Sequence, residues 1–204
     1  MGIAEVFAAG GMVMYLILIT SVAVAVIGIE RLVLYNYAAD NIDDFLENLK
    51  EILRTQELSA AANFCHKEKN LAAKVALAGI AAALNGDNAE LALDNAYTSA
   101  AMNLRDRLNY LSMIVTLSPL LGLLGTIFGM IDAFNIFSVQ AGQTLAITGG
   151  IGEALIATAT GLCVAIFALL VHTYFAQKLD EMLTKLELTI NLVLSKVGGK
   201  NETP

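Results

Sequence analysis

LAITGGIGEALIATATGLCVAIFALLVHTYFA, residues 145–176, decides the fold. Thirty-two residues pass with one ionisable carboxylate, Glu153, and one histidine, His172. That is longer than the roughly 20 residues an α-helix needs to cross the hydrocarbon core of a bilayer. On a helical wheel, Gly149, Gly150, Glu153, Ala154, Ala157, Gly161, Ala165 and Ala168 gather on about half the circumference. Ile151, Leu155, Leu162, Ile166, Leu169 and Leu170 take the rest. In lipid there is no hydrophobic drive between helices, and small residues let backbones approach closely. The small side therefore faces protein, the large side faces lipid, and the helix belongs inside an assembly.

Two further apolar runs stand upstream. Residues 11–35 carry no charge until Glu30 and Arg31, and residues 108–137 carry only Asp132. The first is read as a retained span: no basic residue precedes it and no small-residue cleavage pattern follows, as a signal peptide would require. Residues 138–144 are a short polar connection, so the second and third spans are expected to pack as an antiparallel hairpin. The whole composition agrees with lipid as the solvent, with 57% hydrophobic residues, 15% charged residues and a mean hydropathy of +0.66.

Of the twelve Lys and Arg residues, Arg31 ends the first run, seven lie between residues 50 and 107, and four lie from 178 onward. The positive-inside rule then places the N-terminus and the 138–144 loop outside, and the middle segment and C-terminus in the cytoplasm. The expected organisation is a short outer segment (1–10), a first span (11–35), a cytoplasmic helical segment (36–107), a second span (108–137), an outer loop (138–144), a third span (145–176) and a cytoplasmic helix and tail (177–204). The fold class is an all-α membrane protein with long cytoplasmic helical extensions.

The cytoplasmic segment lacks proline and is rich in helix formers. A break is signalled at Asn85-Gly86-Asp87-Asn88. Asp87 followed by Glu90 resembles a capping box, after which one helix is expected to run without interruption into the second span. In the tail, Leu179, Leu183, Leu186 and Ile190 recur at three and four residues, which predicts an amphipathic prolongation of the third span that packs on the cytoplasmic helices.

Composition also excludes functions. A net charge of −7 with no basic cluster argues against nucleic acid. Cys65 and Cys163 are far apart, and Cys65-His66 has no further ligands at useful spacing, so neither a disulfide framework nor a metal site is expected, and no cofactor is implied. No zinc-binding His-Glu pair and no Gly-x-Ser-x-Gly turn is present, which disfavours an intramembrane enzyme.

Chemistry concentrates in the spans. An ionised Glu153 within the third span costs about 3 kcal/mol on insertion scales, and intramembrane ionisable groups usually mark ion pathways. Its alternative is a structural carboxyl satisfied by a donor on a neighbouring helix. In the second span Gly122, Thr126, Gly129 and Ala133 recur at three and four residues and make a narrow groove carrying one hydroxyl. Thr126 reads equally as a pore group or as a hydroxyl bonded back to its own helix. Asp132, nearer the outer end, reads as an ion-access group or an interfacial charge. Gly122, Gly125, Gly129, Gly149, Ala157 and Gly161 are the expected helix-packing positions. Pro119 should bend the second span near its cytoplasmic side.

The stretch from Ser118 to Met130, SPLLGLLGTIFGM, resembles the second-span signature of the ExbB and TolQ branch of the MotA/TolQ/ExbB proton channel family. The stretch from Gly150 to Leu162, GIGEALIATATGL, resembles its third-span signature, and Glu30-Arg31 fits the same pattern. Phe167 departs from it, standing where the family commonly has proline. The resemblance implies a homopentamer in the bacterial inner membrane, its second and third helices surrounding a pore that holds two copies of an ExbD- or TolR-like single-span partner. It also implies a pathway through Thr126, Glu153 and Thr158, a protonatable aspartate supplied by the partner, and a TonB- or TolA-like protein beyond. Ideal helix geometry puts Thr158 about 140° from Glu153 and Thr160 nearly beneath it, so Thr160 is a secondary candidate. The absence of a large cytoplasmic insertion disfavours the flagellar stator branch. The rival to a channel is a non-conducting membrane scaffold that recruits partners.

Overall fold

The computed structural model describes residues 11–39, 41–139 and 144–198. Among them lie seven helices and no strand: α1 (Gly11–Ala39), α2 (Ile42–Thr55), α3 (Leu58–Lys67), α4 (Leu71–Asn85), α5 (Ala89–Arg105), α6 (Leu108–Val139) and α7 (Thr144–Gly198). The all-α fold with three helices long and apolar enough to cross a bilayer is as the sequence predicts. The outer segment 1–10, residues 140–143 of the loop, and the tail 199–204 lie outside the described residues.

The chain forms two compact units. The first comprises α1 through Glu30 together with Arg107 to Phe175, that is, α6 and the first part of α7. Here α6 and α7 meet backbone to backbone. A Cβ added at Gly161 would stand 2.6 Å from the Ser118 carbonyl oxygen, one at Gly122 3.0 Å from Thr158 Cα, and one at Gly150 2.6 Å from Ala133 Cβ. Ala154, Ala157, Ala165 and Ala168 are buried, whereas Leu155, Ile166 and Leu170 are exposed. The segregation seen on the wheel is thus the segregation of the packed unit, with small side chains inside and large ones outside.

The second unit comprises Arg31 to Asp106 and α7 from Ala176. It is packed as a water-soluble domain is, with Phe45, Leu49, Ile80, Leu93 and Leu186 all buried. Phe45 of α2 stacks on Phe64 of α3 with ring centroids 5.5 Å apart. The predicted amphipathic face of the tail is buried at Leu179, Leu183 and Leu186, and α7 continues without a break through Gly198. Lys185 on the same stretch pairs with Asp43 at 2.8 Å.

Two local expectations are corrected. The α4–α5 turn occurs where Asn85-Gly86-Asp87-Asn88 signals it, with Gly86 in the left-handed region at φ 81°. The cap, however, is Asn88 rather than Asp87: the Asn88 side-chain oxygen accepts from the Leu91 N–H at 3.0 Å.

The second correction concerns the helix expected to run from the cytoplasmic segment into the second span. It is interrupted at Asp106 and Arg107, where Arg107 takes φ 64°. Side chains from α1 supply the physical reason. Arg31 donates to the carbonyls of Asn103 (3.1 Å) and Leu104 (3.3 Å), and the Tyr35 hydroxyl donates to Leu104 O at 2.8 Å. These are the carbonyls that a continuing helix would have used for the N–H groups of Arg107 and Leu108. Breaks at Gln56-Glu57 and from Glu68 to Asn70 carried no signal recognised in the sequence. The second is closed by Asn70, whose side-chain oxygen accepts from Ala73 N–H at 2.8 Å.

Candidate functional site: a carboxylate-lined cavity in the three-span unit

The site is assembled on α6 and α7 because their glycines bring the two backbones together. Gly125 is held so near α7 that a Cβ there would lie 2.6 Å from Ala157 Cβ, and one at Gly129 would lie 3.0 Å from Gly150 O. Next to this contact is a cavity of about 260 Å³, lined by Glu153 and Asp132, by Gly125, Phe128 and Gly129 of α6, and by the first residues of α1. Two carboxylates therefore share one space. Both are exposed within the single chain, and neither makes a hydrogen bond or ion pair among the described residues. The cavity has room for several waters, and its two carboxylates are the side chains that can hold them.

The three threonine hydroxyls are all engaged as donors. Thr158 crosses from α7 to α6 and donates to Gly122 O at 2.9 Å. Thr126 donates to Leu123 O at 2.6 Å, and Thr160 to Ile156 O at 2.8 Å, each within its own helix. A hydroxyl that donates to a carbonyl keeps its lone pairs as acceptors, so each oxygen presents partial negative charge to whatever passes. Thr158 also ties the hairpin together at the point where Gly122 and Gly161 remove steric bulk.

Glu153 and Asp132 are thus brought into one cavity; Thr158 lies at the α6–α7 contact, and Thr160 remains half-buried on α7. Of the packing positions, Gly122, Gly125, Gly129, Ala157 and Gly161 all sit at the hairpin contact, while Gly149 meets nothing within 4 Å and Gly150 takes the contact instead. Ser118 went unrecognised in the sequence. It is fully buried, and its hydroxyl has no hydrogen-bond partner among the described residues. Its available signals were its place at the head of the SPLLGLLGTIFGM stretch and one helical turn before Gly122. Glu30 was seen as part of a pattern without a role; its carboxylate pairs with the Arg107 guanidinium.

Outside the spans, Cys65 is buried, and burial pushes its thiol up to about 12. That environment makes it an unreactive core residue.

Three helices long and apolar enough to cross a bilayer, a glycine-packed hairpin and a pair of carboxylates without an ion-pair partner among the described residues define a helical protein of the kind that can cross a membrane three times. A sequence model of the MotA/TolQ/ExbB proton channel family matches residues 67–188, and the chain belongs to that family. Among relatives, a Synechocystis sp. protein named "Putative biopolymer transport protein ExbB-like 3" is 48% identical over 91 residues, 42% of each chain. The biopolymer transport protein ExbB of Salmonella typhimurium is 39% identical over 73 residues, 35% of this chain and 30% of that one. The Tol-Pal system protein TolQ of Haemophilus influenzae is 36% identical over 81 residues, 39% of this chain and 36% of that one. These matches place the chain nearest the ExbB and TolQ branch, and each spans less than half of the relative's length.

Proposed function

We propose that this chain is the channel subunit of an inner-membrane motor, passing protons through an assembly of its second and third spans and coupling their descent to movement of an ExbD- or TolR-like single-span partner. The observation that carries the reading is Glu153: a carboxylate within a span, without a donor among the described residues, sharing a cavity with Asp132. A structural carboxyl would be held by a neighbouring hydroxyl or backbone donor. A carboxylate left open to a small cavity that holds a second carboxylate is suited to exchange protons with passing water.

In this reading Glu153 is the central pathway group, Thr126 and Thr158 contribute acceptor oxygens, and Thr160 and Asp132 are secondary members. The assembly is a homopentamer around two copies of the partner, with a TonB- or TolA-like protein receiving the work for outer-membrane transport or envelope maintenance. The N-terminus and 138–144 loop face the periplasm, and the chain itself carries out no enzymatic reaction. The energy scale is adequate, since each charge crossing releases about 2.3 kcal/mol per 100 mV.

The test is proton flux into potential-bearing liposomes that hold this chain with its co-purified partner. Wild type should conduct, and Glu153→Gln should lose most of the flux while assembling normally. Equal flux in the two would take Glu153 out of the pathway. A wild-type complex that assembles but passes no ions would favour the scaffold.

A further inference from the structure

A second cavity, of about 130 Å³, lies wholly within the second unit and contributes nothing to the carboxylate site. Leu34 and Ala38 of α1 and Leu104 of α5 give it an apolar wall; Lys69, Lys74 and Asn103 give it polar groups. Its position along the chain is specific. Leu34 is four residues beyond Glu30, where charge first appears in the first apolar run, and Leu104 is four residues before α6 begins at Leu108. Leu34 therefore lies at the end of the first span, and Leu104 stands just before the break at Asp106 and Arg107 that precedes the second.

Of the eleven basic residues described, Lys69 and Lys74 are the two that line this cavity. In a chain of net charge −7, Arg31, Arg107, Lys178 and Lys185 each have a carboxylate within ion-pair reach. Lys69 and Lys74 are exposed, and neither has a carboxylate within ion-pair reach among the described residues. Two lysine side chains and an apolar wall that line one cavity, next in sequence to where two spans end, match a ligand with an anionic head and an apolar body.

We infer that this cavity binds the headgroup of an anionic glycerophospholipid. The two lysines take the phosphodiester, the Asn103 amide meets the polar glycerol region, and Leu34, Ala38 and Leu104 meet the first carbons of the chains. A soluble phosphate gains nothing from that wall, and a zwitterionic lipid brings its own cation to compete with the lysines. The inference requires the spans to lie in a bilayer but not that they conduct, so full flux in Glu153→Gln would leave it standing.

The experiment is native mass spectrometry of the full-length complex in detergent, doped with phosphatidylglycerol, with phosphatidylcholine or with inorganic phosphate. Wild type should retain phosphatidylglycerol over phosphatidylcholine, and millimolar phosphate should not displace it. At about fivefold per charge for a basic side chain at an anionic membrane surface, the Lys69→Gln, Lys74→Gln pair should weaken retention roughly thirtyfold. The Lys69→Arg, Lys74→Arg pair, which keeps charge and bulk, should hold the lipid. Lys50→Gln, on α2 and outside the cavity, should behave as wild type. Equal retention by wild type and the glutamine pair would overturn the site, as would loss of lipid in the arginine pair. Equal retention of the two lipids would remove the anionic preference, and displacement by phosphate would make this a soluble-anion site.

Discussion

The two units bury opposite kinds of side chain. In the three-span unit Ala157 is 0% exposed and Leu155, two positions away, is 63% exposed. In the second unit Leu93 and Leu186 are 0% exposed. Both patterns occur within one chain, and α7 carries each of them in turn. The difference is one of solvent. In water, removing apolar area from the solvent drives folding, so the largest side chains go inside. In lipid that drive vanishes, and close backbone approach over Gly, Ala and Ser is what holds helices together.

The comparison is broken most directly by truncating a large side chain in each unit. Leu93→Ala should destabilise by about 2–5 kcal/mol, as buried leucines do when a cavity is left. Leu155→Ala should change stability by less than about 0.5 kcal/mol. Reversible unfolding in mixed micelles measures both, and a substantial loss at Leu155 would mean that the lipid-facing assignment of that surface is mistaken.

Next in size is the addition of one methyl to the hairpin. Gly161→Ala places a Cβ 2.6 Å from a backbone oxygen and 3.0 Å from Gly122 Cα, atoms that cannot rotate away. The expected loss is about 1–3 kcal/mol. Wild-type stability in this variant would show that the α6–α7 contact is looser than its geometry indicates.

Smaller still is the interhelix hydrogen bond. Thr158→Val keeps shape and removes the donor to Gly122 O, for an expected loss of about 0.6 kcal/mol. If proton flux falls far more than that stability loss can account for, the Thr158 oxygen belongs to the pathway. If flux and stability fall together modestly, its part is to hold the hairpin.

The last prediction leaves stability almost untouched at neutral pH. With its thiol pushed up to about 12, Cys65 should stay unalkylated at pH 8 in the folded protein and react on unfolding. A thiol raised that far holds much less thiolate than an ordinary cysteine at the same pH. The sign for folding follows: the folded state holds this proton more tightly than the unfolded chain. Stability is therefore intact below the ordinary thiol range and declines as pH climbs from there toward 12. Rapid labelling at pH 8 would show that α3 opens readily.

Much of this was legible in the sequence because its signals are local. The three spans follow from apolar length, the buried side of α7 from helical periodicity, and the α4–α5 turn from Gly86, the one residue type that takes φ 81° without strain. Glu153 stood out for a similar reason, since a carboxylate inside an apolar run needs no neighbour to be conspicuous. The choice of Asn88 over Asp87 as the cap was beyond reach, because both side chains can accept the same hydrogen bond and only the path of the backbone selects one.

What tertiary structure decided are the contacts between residues distant in the chain. The helix predicted to run through Asp106 and Arg107 stops because Arg31 and Tyr35, about seventy residues earlier, hold the carbonyls it would need. Asp132 and Glu153 share a cavity because Gly125 and Gly129 let two helices close on each other, and Thr158 donates across that contact rather than back along α7. Lys69, in the break before α4, and Lys74 of α4 line one cavity with Leu34 of α1 and Leu104 of α5 only once the chain is folded. The sequence alone determined which residues lipid and water each accept, since that is a property of one side chain and its helical phase. Which polar groups meet is a property of pairs, and for pairs this far apart it is settled only when the backbone is in place.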